Sequence, residues 1–167
     1  MLHEQSVELL NKAVADELTA VHQYMYFHFQ CDDQGYDLLA GLFKRSAIDE
    51  MLHIERIAER ILFLGGDVEL LANATVKKIH DVKMMLATAT GLEEGAIKMY
   101  NKFALECAEN ADAATRKLFE SLVDDEERHY NQFDDEVENL KKFGDNYLAL
   151  QSIERSKSAS QRPAAAE

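Results

Sequence analysis

Proline is confined to the end of this chain, and that restricts its fold more than any other feature. The single proline among the 167 residues is Pro163. Because a proline interrupts a helix, everything before it can form uninterrupted helices. Apolar residues recur there at intervals of three and four, the period of an amphipathic helix. In the first segment this stripe includes Leu10, Val14, Leu18 and Val21. The chain is therefore predicted to be all-α.

Four long helices and one short helix account for the periodic segments. The predicted bounds are Glu4–Cys31, Tyr36–Leu64, Val82–Glu109, Ala113–Phe143 and Asn146–Arg155. Asp81 is a candidate N-cap of the third helix and Gly144 a candidate C-cap of the fourth. Short polar turns follow the first and third helices, whereas Gly65 to His80 is a longer connection that could span roughly 50 Å when extended. The pattern predicts a four-helix bundle made of two hairpins and one long crossover.

The chain is expected to contain one folded domain and a tail. Residues 1–155 carry the periodic segments. Residues 156–167, SKSASQRPAAAE, are small and polar and show no periodicity. A segment of this composition cannot bury enough apolar surface to offset the entropy of ordering it. We therefore predict that residues 156–167 are disordered.

The composition argues against two classes of partner. Asp and Glu total 31 against 18 Lys and Arg, a net charge of -13. Nucleic acid is not an expected partner, because phosphate binding needs clustered basic residues. No apolar run reaches the length of a membrane span, and the N-terminal segment lacks the apolar core of a signal peptide. Cys31 and Cys107 stand in no metal-binding spacing and are expected to be free thiols at opposite ends of the bundle. We expect a cytoplasmic protein without a membrane partner.

Two of the six histidines follow a glutamate by three residues, namely His53 after Glu50 and His129 after Glu126. Residues three apart share a helix face, so each pair can present a carboxylate oxygen and an imidazole nitrogen to one metal ion. Glu-x-x-His motifs on two helices are typical of carboxylate di-metal bundles. Such pairs also arise by chance on helix surfaces, so the motif alone does not identify a metal site.

The spacing of two further glutamates strengthens the case. Glu17 precedes Glu50 by 33 residues, and Glu93 precedes Glu126 by the same 33. Two residues of an antiparallel hairpin face each other when the turn lies halfway between them. The two midpoints fall at residues 33–34 and 109–110, within the predicted turns. Each hairpin should therefore bring one glutamate level with its Glu-x-x-His motif.

The resulting set of four carboxylates and two imidazoles predicts a buried di-metal site. Oxygen and nitrogen ligands suit Fe, Mn or Zn, and iron is favoured because a symmetric pair of this kind suits reaction with O2 or peroxide. Four carboxylates balance the charge of two Fe²⁺ ions. We assign Glu17 and His53 to one ion and Glu93 and His129 to the other, with two glutamates as bridges. The bridging residues are Glu50 and Glu126, and all six are candidate ferroxidase residues.

Other interpretations remain open at this point. Tyr24, two turns from Glu17, is either a hydrogen-bond or electron donor to the site or simply a packed aromatic residue. A non-catalytic bundle with these side chains on its surface would not require the doubled spacing. A peroxidase of the rubrerythrin type usually carries a CxxC…CxxC segment, which is absent here, and a manganese catalase is a further alternative.

At these residues the chain resembles the bacterioferritins, from about Val7 to Ile153. The segments that carry the resemblance are DELTAVHQY (Asp16–Tyr24), AIDEMLHIERIAERILFLGG (Ala47–Gly66), DDEERH (Asp124–His129) and FGDNYLALQSIE (Phe143–Glu154). A second Glu-x-x-His on the fourth helix distinguishes this family from other ferritins. The resemblance implies a ferritin-like shell of 24 subunits that oxidises Fe(II) with O2 or H2O2 at two iron ions per subunit. It also implies storage of the ferric mineral inside the shell and a ferredoxin-type reductant for iron release.

The resemblance also implies a role for Met51, which directly follows Glu50 and so points about 100° away from the predicted site. In bacterioferritins a methionine at this place and its two-fold mate supply the axial ligands of a b-type haem or related iron porphyrin between two subunits. From the residues alone, Met51 is better explained as an interface methionine that only packs; the haem ligand is what the resemblance implies.

Overall fold

The computed structural model describes residues 3–161 as five α-helices. They are α1 (Glu4–Asp33), α2 (Asp37–Phe63), α3 (Val82–Glu109), α4 (Ala113–Phe143) and α5 (Asp145–Ser160). The all-α prediction is confirmed, and α3 and α4 have the predicted bounds. Asp81 caps α3 by accepting a hydrogen bond from the Met84 amide, and Gly144 ends α4 with a φ of 64°. Within residues 3–161, none of the helices has the length and apolar character needed to cross a bilayer.

The helices form two hairpins joined by a crossover, as predicted. α1 packs chiefly against α2, and α3 against α4. The crossover from α2 to α3 runs in extended form along α1. Its backbone meets successive polar side chains of that helix, at Asn11, Thr19 and Gln23. These hydrogen bonds satisfy backbone groups that the crossover, having no regular structure, cannot pair internally.

Two apolar clusters fill the bundle, one toward each end. The first contains Ile57, Ile61 and Phe119, and the second contains Phe43 and Phe133. Each cluster combines side chains from all four long helices. Cys107 belongs to the first cluster and Cys31 to the second; both are buried free thiols. The helices are therefore fixed on both sides of the middle of the bundle, where the charged residues lie.

Helix α5 is longer than expected. It continues to Ser160 instead of ending at Arg155, so residues 156–160 of the predicted tail are helical. The helix continues because no residue that ends helices occurs there. Neither Gly nor Pro lies between Gly144 and Pro163, so the serine-rich segment can remain helical. The rest of the predicted tail, residues 162–167, lies outside the described residues. The division of the chain at residue 155 remains a prediction.

Candidate metal centre

Six charged side chains from the four long helices meet at the centre of the bundle. All are at most 3% exposed. They form two groups that share two members and could each hold a metal ion. The first group is Glu17, Glu50, His53 and Glu126, and the second is Glu50, Glu93, Glu126 and His129. The shared pair, Glu50 and Glu126, lies between the two groups, in the position that we assigned to bridging ligands.

In the first group, three carboxylates converge on one imidazole nitrogen. The Nδ1 atom of His53 lies 3.2 Å from an oxygen of Glu17, 2.9 Å from one of Glu50 and 3.0 Å from one of Glu126. A ring nitrogen carries at most one proton, so it cannot donate to all three. Glu50 Oε2 and Glu126 Oε1 indeed have no hydrogen-bond partner among the described residues. A cation between the four atoms would satisfy them together.

The second group repeats this arrangement. The Nδ1 atom of His129 lies 3.1 Å from an oxygen of Glu50, 3.3 Å from one of Glu126 and 3.8 Å from one of Glu93. Glu93 Oε2 is buried without a hydrogen-bond partner in the described part of the chain. The two imidazole rings lie 5.8 Å apart, nearly parallel. The residues present therefore fit two divalent ions, each with one imidazole nitrogen and carboxylate oxygens as ligands.

The carboxylates hold both imidazoles in their charged form when no metal is bound. Burial alone would favour the neutral ring of His53, but hydrogen bonds to Glu126, Glu17 and Glu50 raise its pKa to about 12. The pKa of His129 is raised in the same way and for the same reasons. Each imidazolium thus occupies the place of a cation among the carboxylates.

Burial raises the pKa of three of the carboxylates, which favours their neutral form; for Glu50, hydrogen bonds from His129 and His53 oppose that rise. Burial, together with a hydrogen bond to Glu126, raises the pKa of Glu93 to about 8. Burial, followed by the charge of Glu50, raises the pKa of Glu17 well above its ordinary value. Burial would also raise the pKa of Glu126, but hydrogen bonds from Glu93 and His129 lower it instead. The centre therefore retains protons at neutral pH that a metal would have to displace.

Two tyrosines support the centre from the opposite hairpin. Tyr24 on α1 donates a hydrogen bond to Glu93 on α3, and Tyr100 on α3 donates one to Glu17 on α1. Tyr24 is also packed against Phe133, with ring centroids 5.3 Å apart. Both interpretations of Tyr24 as hydrogen-bond donor and as packed aromatic thus hold. The spacing of the glutamates and histidines did not predict Tyr100.

A repeat in the sequence could have identified Tyr100. Glu93 follows Glu17 by 76 residues, and Tyr100 follows Tyr24 by the same 76. The offset also relates Asp49 to Asp125, which directly precede Glu50 and Glu126, the two glutamates shared by both groups. The Nε2 atom of each imidazole lies close to one of these aspartates, at 3.0 Å for Asp49 and 3.3 Å for Asp125. The repeat thus extends beyond the six predicted residues to the groups around them.

A small cavity reaches the centre between α1 and α3. Its walls include the side chains of Ala20, Leu92 and Ala96 and the four glutamates of the centre, with half-buried Asp16 at one side. Small alanine side chains leave this space between the helices. Burial raises the pKa of Asp16.

Met51 lies on the outer face of α2, away from the centre. It is 51% exposed, and the apolar side chains of Ile48 and Leu52 beside it are also exposed. A thioether and apolar neighbours on a subunit surface suit a site that a second subunit would complete. Met51 therefore presents its thioether on an exposed apolar part of the α2 surface.

The sequence matches the ferritin-like domain family over residues 7–143. It is 38% identical over 143 residues to a bacterioferritin of Desulfovibrio desulfuricans, covering 86% of this chain and 80% of that protein. It is 32% identical over 145 residues to a bacterioferritin of Rhodobacter capsulatus, covering 86% of this chain and 89% of that protein.

The fold is similar to a solved structure of the bacterioferritin from Desulfovibrio desulfuricans. The TM-score is 0.86 at 37% sequence identity, over 89% of this chain and 86% of that one. That crystal structure is described as showing the diiron site in different catalytic states.

Proposed function

This chain belongs to the bacterioferritin family, and we propose that it oxidises Fe(II) at its buried centre and stores the ferric product in a hollow shell. The chain would act as a ferroxidase, with O2 or H2O2 as the oxidant. Its oligomer would contain 24 subunits, and a ferredoxin-type reductant would release the iron. We further propose a cytoplasmic location and a haem between pairs of subunits.

One observation carries the ferroxidase proposal. Three buried carboxylates converge on the Nδ1 atom of His53, and three on the Nδ1 atom of His129. No arrangement of protons can satisfy these groups as fully as two divalent cations would. A surface cluster of glutamates and histidines would not be buried, and a purely structural core would use apolar residues at this place.

Each residue of the centre has a proposed role as a ligand. Glu17 and His53 would hold one iron ion, and Glu93 and His129 the other. Glu50 would bridge the two, as would Glu126. When bound, the iron pair supplies the electrons that reduce the oxidant. The hydroxyl groups of the two tyrosines keep the terminal carboxylates in place, and the apolar clusters on both sides exclude water.

Fe²⁺ oxidation by metal-free protein tests this proposal. We expect two Fe²⁺ per subunit to bind without oxygen and to oxidise far faster than in buffer once air is admitted. Glu17→Ala and His129→Ala should each remove the fast phase, because a terminal ligand is lost. Glu94→Ala is the matched control, since Glu94 adjoins a ligand on α3 but pairs with Lys98 at the surface.

The amount of iron retained separates storage from a small di-iron peroxidase. A storage protein should keep many more ions than the two at each centre, within an assembly that size-exclusion chromatography resolves. Fast oxidation without retention would favour a peroxidase. A wild-type protein that bound no stoichiometric Fe²⁺ would contradict the di-iron centre altogether.

A further inference from the structure

A chain of polar contacts joins the outer edges of the two imidazole rings. His129 Nε2 lies 3.0 Å from Asp49 Oδ2, and His53 Nε2 lies 3.3 Å from Asp125 Oδ2. Between the two aspartates lies Arg128. Its Nη1 is 3.5 Å from Asp49 Oδ2, and its Nη2 is 3.1 Å from Asp125 Oδ1. One guanidinium group thus connects the carboxylates behind both rings.

We propose that Arg128 is a positioning residue that fixes both imidazoles, through Asp49 and Asp125, and so couples the two halves of the centre. The inference rests on the proposed function, in which each imidazole binds a metal. A carboxylate on the far nitrogen of a ligating imidazole sets the tautomer and orientation of the ring. Here the nitrogen facing the glutamates is Nδ1, so the aspartates hold the proton on Nε2 and leave Nδ1 for the metal.

Arginine is suited to this role by its shape. The guanidinium group presents its donors in a rigid planar fork, so a single side chain can contact two carboxylates at fixed angles. Arg128 uses a different terminal nitrogen for each aspartate. It is also adjacent in sequence to His129, so any movement of this part of α4 changes both contacts together.

These contacts are poorly placed to stabilise the fold. The side chain of Arg128 is 50% exposed, that of Asp49 37% and that of Asp125 30%. Exposed ion pairs of this kind contribute little to folding, because water screens them. The aspartates nevertheless touch two rings that are buried. The effect of the chain of contacts should therefore appear in metal binding more than in stability.

The two ends of this chain are not held equally. Asp125 has a second cationic partner, with Arg56 Nη1 at 3.0 Å from its Oδ2. Arg56 is itself fixed by a hydrogen bond to Ser121. Among the described residues, Asp49 has Arg128 as its only arginine or lysine partner. Loss of Arg56 should consequently affect only the metal at His53. Loss of Arg128 should affect both metals, and the one at His129 more strongly, because Arg56 still holds Asp125.

Anaerobic titration with Co²⁺, followed by its visible absorption, tests the proposal. Replacing a residue outside the first ligands of a metal typically lowers affinity by roughly tenfold to a hundredfold. We expect a loss of that size for both Co²⁺ ions in Arg128→Ala, with an altered spectrum, and for one ion in Arg56→Ala. Arg116→Ala is the matched control, because Arg116 is also on α4, is 51% exposed and pairs with Glu120 at the surface.

The outcomes separate this inference from the proposed function. Wild-type protein that bound no pair of Co²⁺ ions would contradict the centre itself. If the wild type bound two ions and Arg128→Ala had the affinity and spectrum of Arg116→Ala, the positioning role would be wrong. A drop in thermal unfolding midpoint specific to Arg128→Ala, with unchanged Co²⁺ affinity, would also overturn it, since that result would assign the residue to folding.

Discussion

At the scale of residues, the centre remains close to neutral with or without metal. Four buried carboxylates and two imidazolium rings leave a net charge of two negative units. Protons on Glu17 and Glu93 balance this, in keeping with the raised pKa of each. Two divalent ions would balance the four carboxylates after all these protons had left. Metal binding is therefore an exchange of protons for cations within an apolar surrounding, where an uncompensated charge would be costly.

This exchange predicts proton release. Binding of two divalent ions at pH 7 should release about four protons per subunit, from the two imidazoles and two carboxyl groups. The raised pKa values of these groups mean that protons compete with the metal. The apparent affinity for the metal should therefore fall as the pH is lowered from 8 to 6. Zn²⁺ titration in a weakly buffered indicator dye measures the release. The control variant Glu94→Ala should release the same number of protons as the wild type. A release of fewer than two protons per subunit from the wild type would contradict this balance of charge.

The two tyrosine hydroxyls allow a second test at this scale. Tyr100→Phe removes the hydrogen bond that holds Glu17, so affinity for one metal should fall roughly tenfold or more. Tyr24→Phe should weaken the other ion by removing the hydrogen bond to Glu93. The control is Tyr147→Phe, which also loses a tyrosine–glutamate hydrogen bond, but one at the end of the bundle. Equal affinity in all three variants would show that the hydroxyls have no role in the centre.

At the scale of helices, the register of the two hairpins is what brings the ligands to one level. The turn after α1 and the turn after α3 each lie midway between their glutamates.

The crossover must then lie close against α1, and it begins at a point of tight packing. A Cβ atom at Gly66 would lie 2.6 Å from Cγ1 of Val7. The absence of a side chain there permits the close approach of crossover and helix.

Gly66→Ala should therefore destabilise the fold. We expect a loss of about 1–3 kcal/mol in the free energy of unfolding, typical of overpacking a buried contact. Gly91→Ala is the matched control at an exposed position of α3, where a Cβ would meet no other atom within 4 Å. It should raise stability by up to about 1 kcal/mol, because alanine favours helices over glycine. Denaturant unfolding of both variants measures the difference, and equal stability would contradict the tight contact.

The sequence was most informative where a contact depends on spacing along one hairpin. It predicted α3 and α4 to the residue and all six charged side chains that meet at the centre. It did not predict Tyr100, Arg128 or the two aspartates, since their contacts depend on which helices of different hairpins lie side by side. The predicted end of α5 was also wrong. The serine-rich segment after Arg155 contains neither Gly nor Pro, and it remains helical to Ser160.

At the scale of the whole molecule, the surface of the chain has features that are typical of a subunit that assembles with other copies. Large apolar side chains are exposed at several places, including Phe63, Leu71 and Leu105. Apolar surface of this extent is typical of surfaces that bind other subunits. The net charge of -13 would also give a closed shell a negative field that attracts Fe²⁺. These features support the proposed hollow oligomer.

The proposed haem gives a prediction at this scale. Wild-type protein reconstituted with haemin should bind one haem per two subunits, with the spectrum of thioether ligation. Met51→Leu should still assemble but lose that spectrum. Met84→Leu is the control, since Met84 is also an exposed methionine, at 58%. Haem binding with an unchanged spectrum in Met51→Leu would contradict axial ligation by this residue.

The central claim, a di-iron centre within each subunit, is tested most directly by anomalous diffraction at the iron edge. Crystals would be soaked with Fe²⁺ without oxygen. We expect two anomalous peaks per subunit, about 3.5–4 Å apart. One should contact Nδ1 of His53 and the other Nδ1 of His129, with Glu50 and Glu126 between them. A single peak, or peaks only at the subunit surface, would contradict the account.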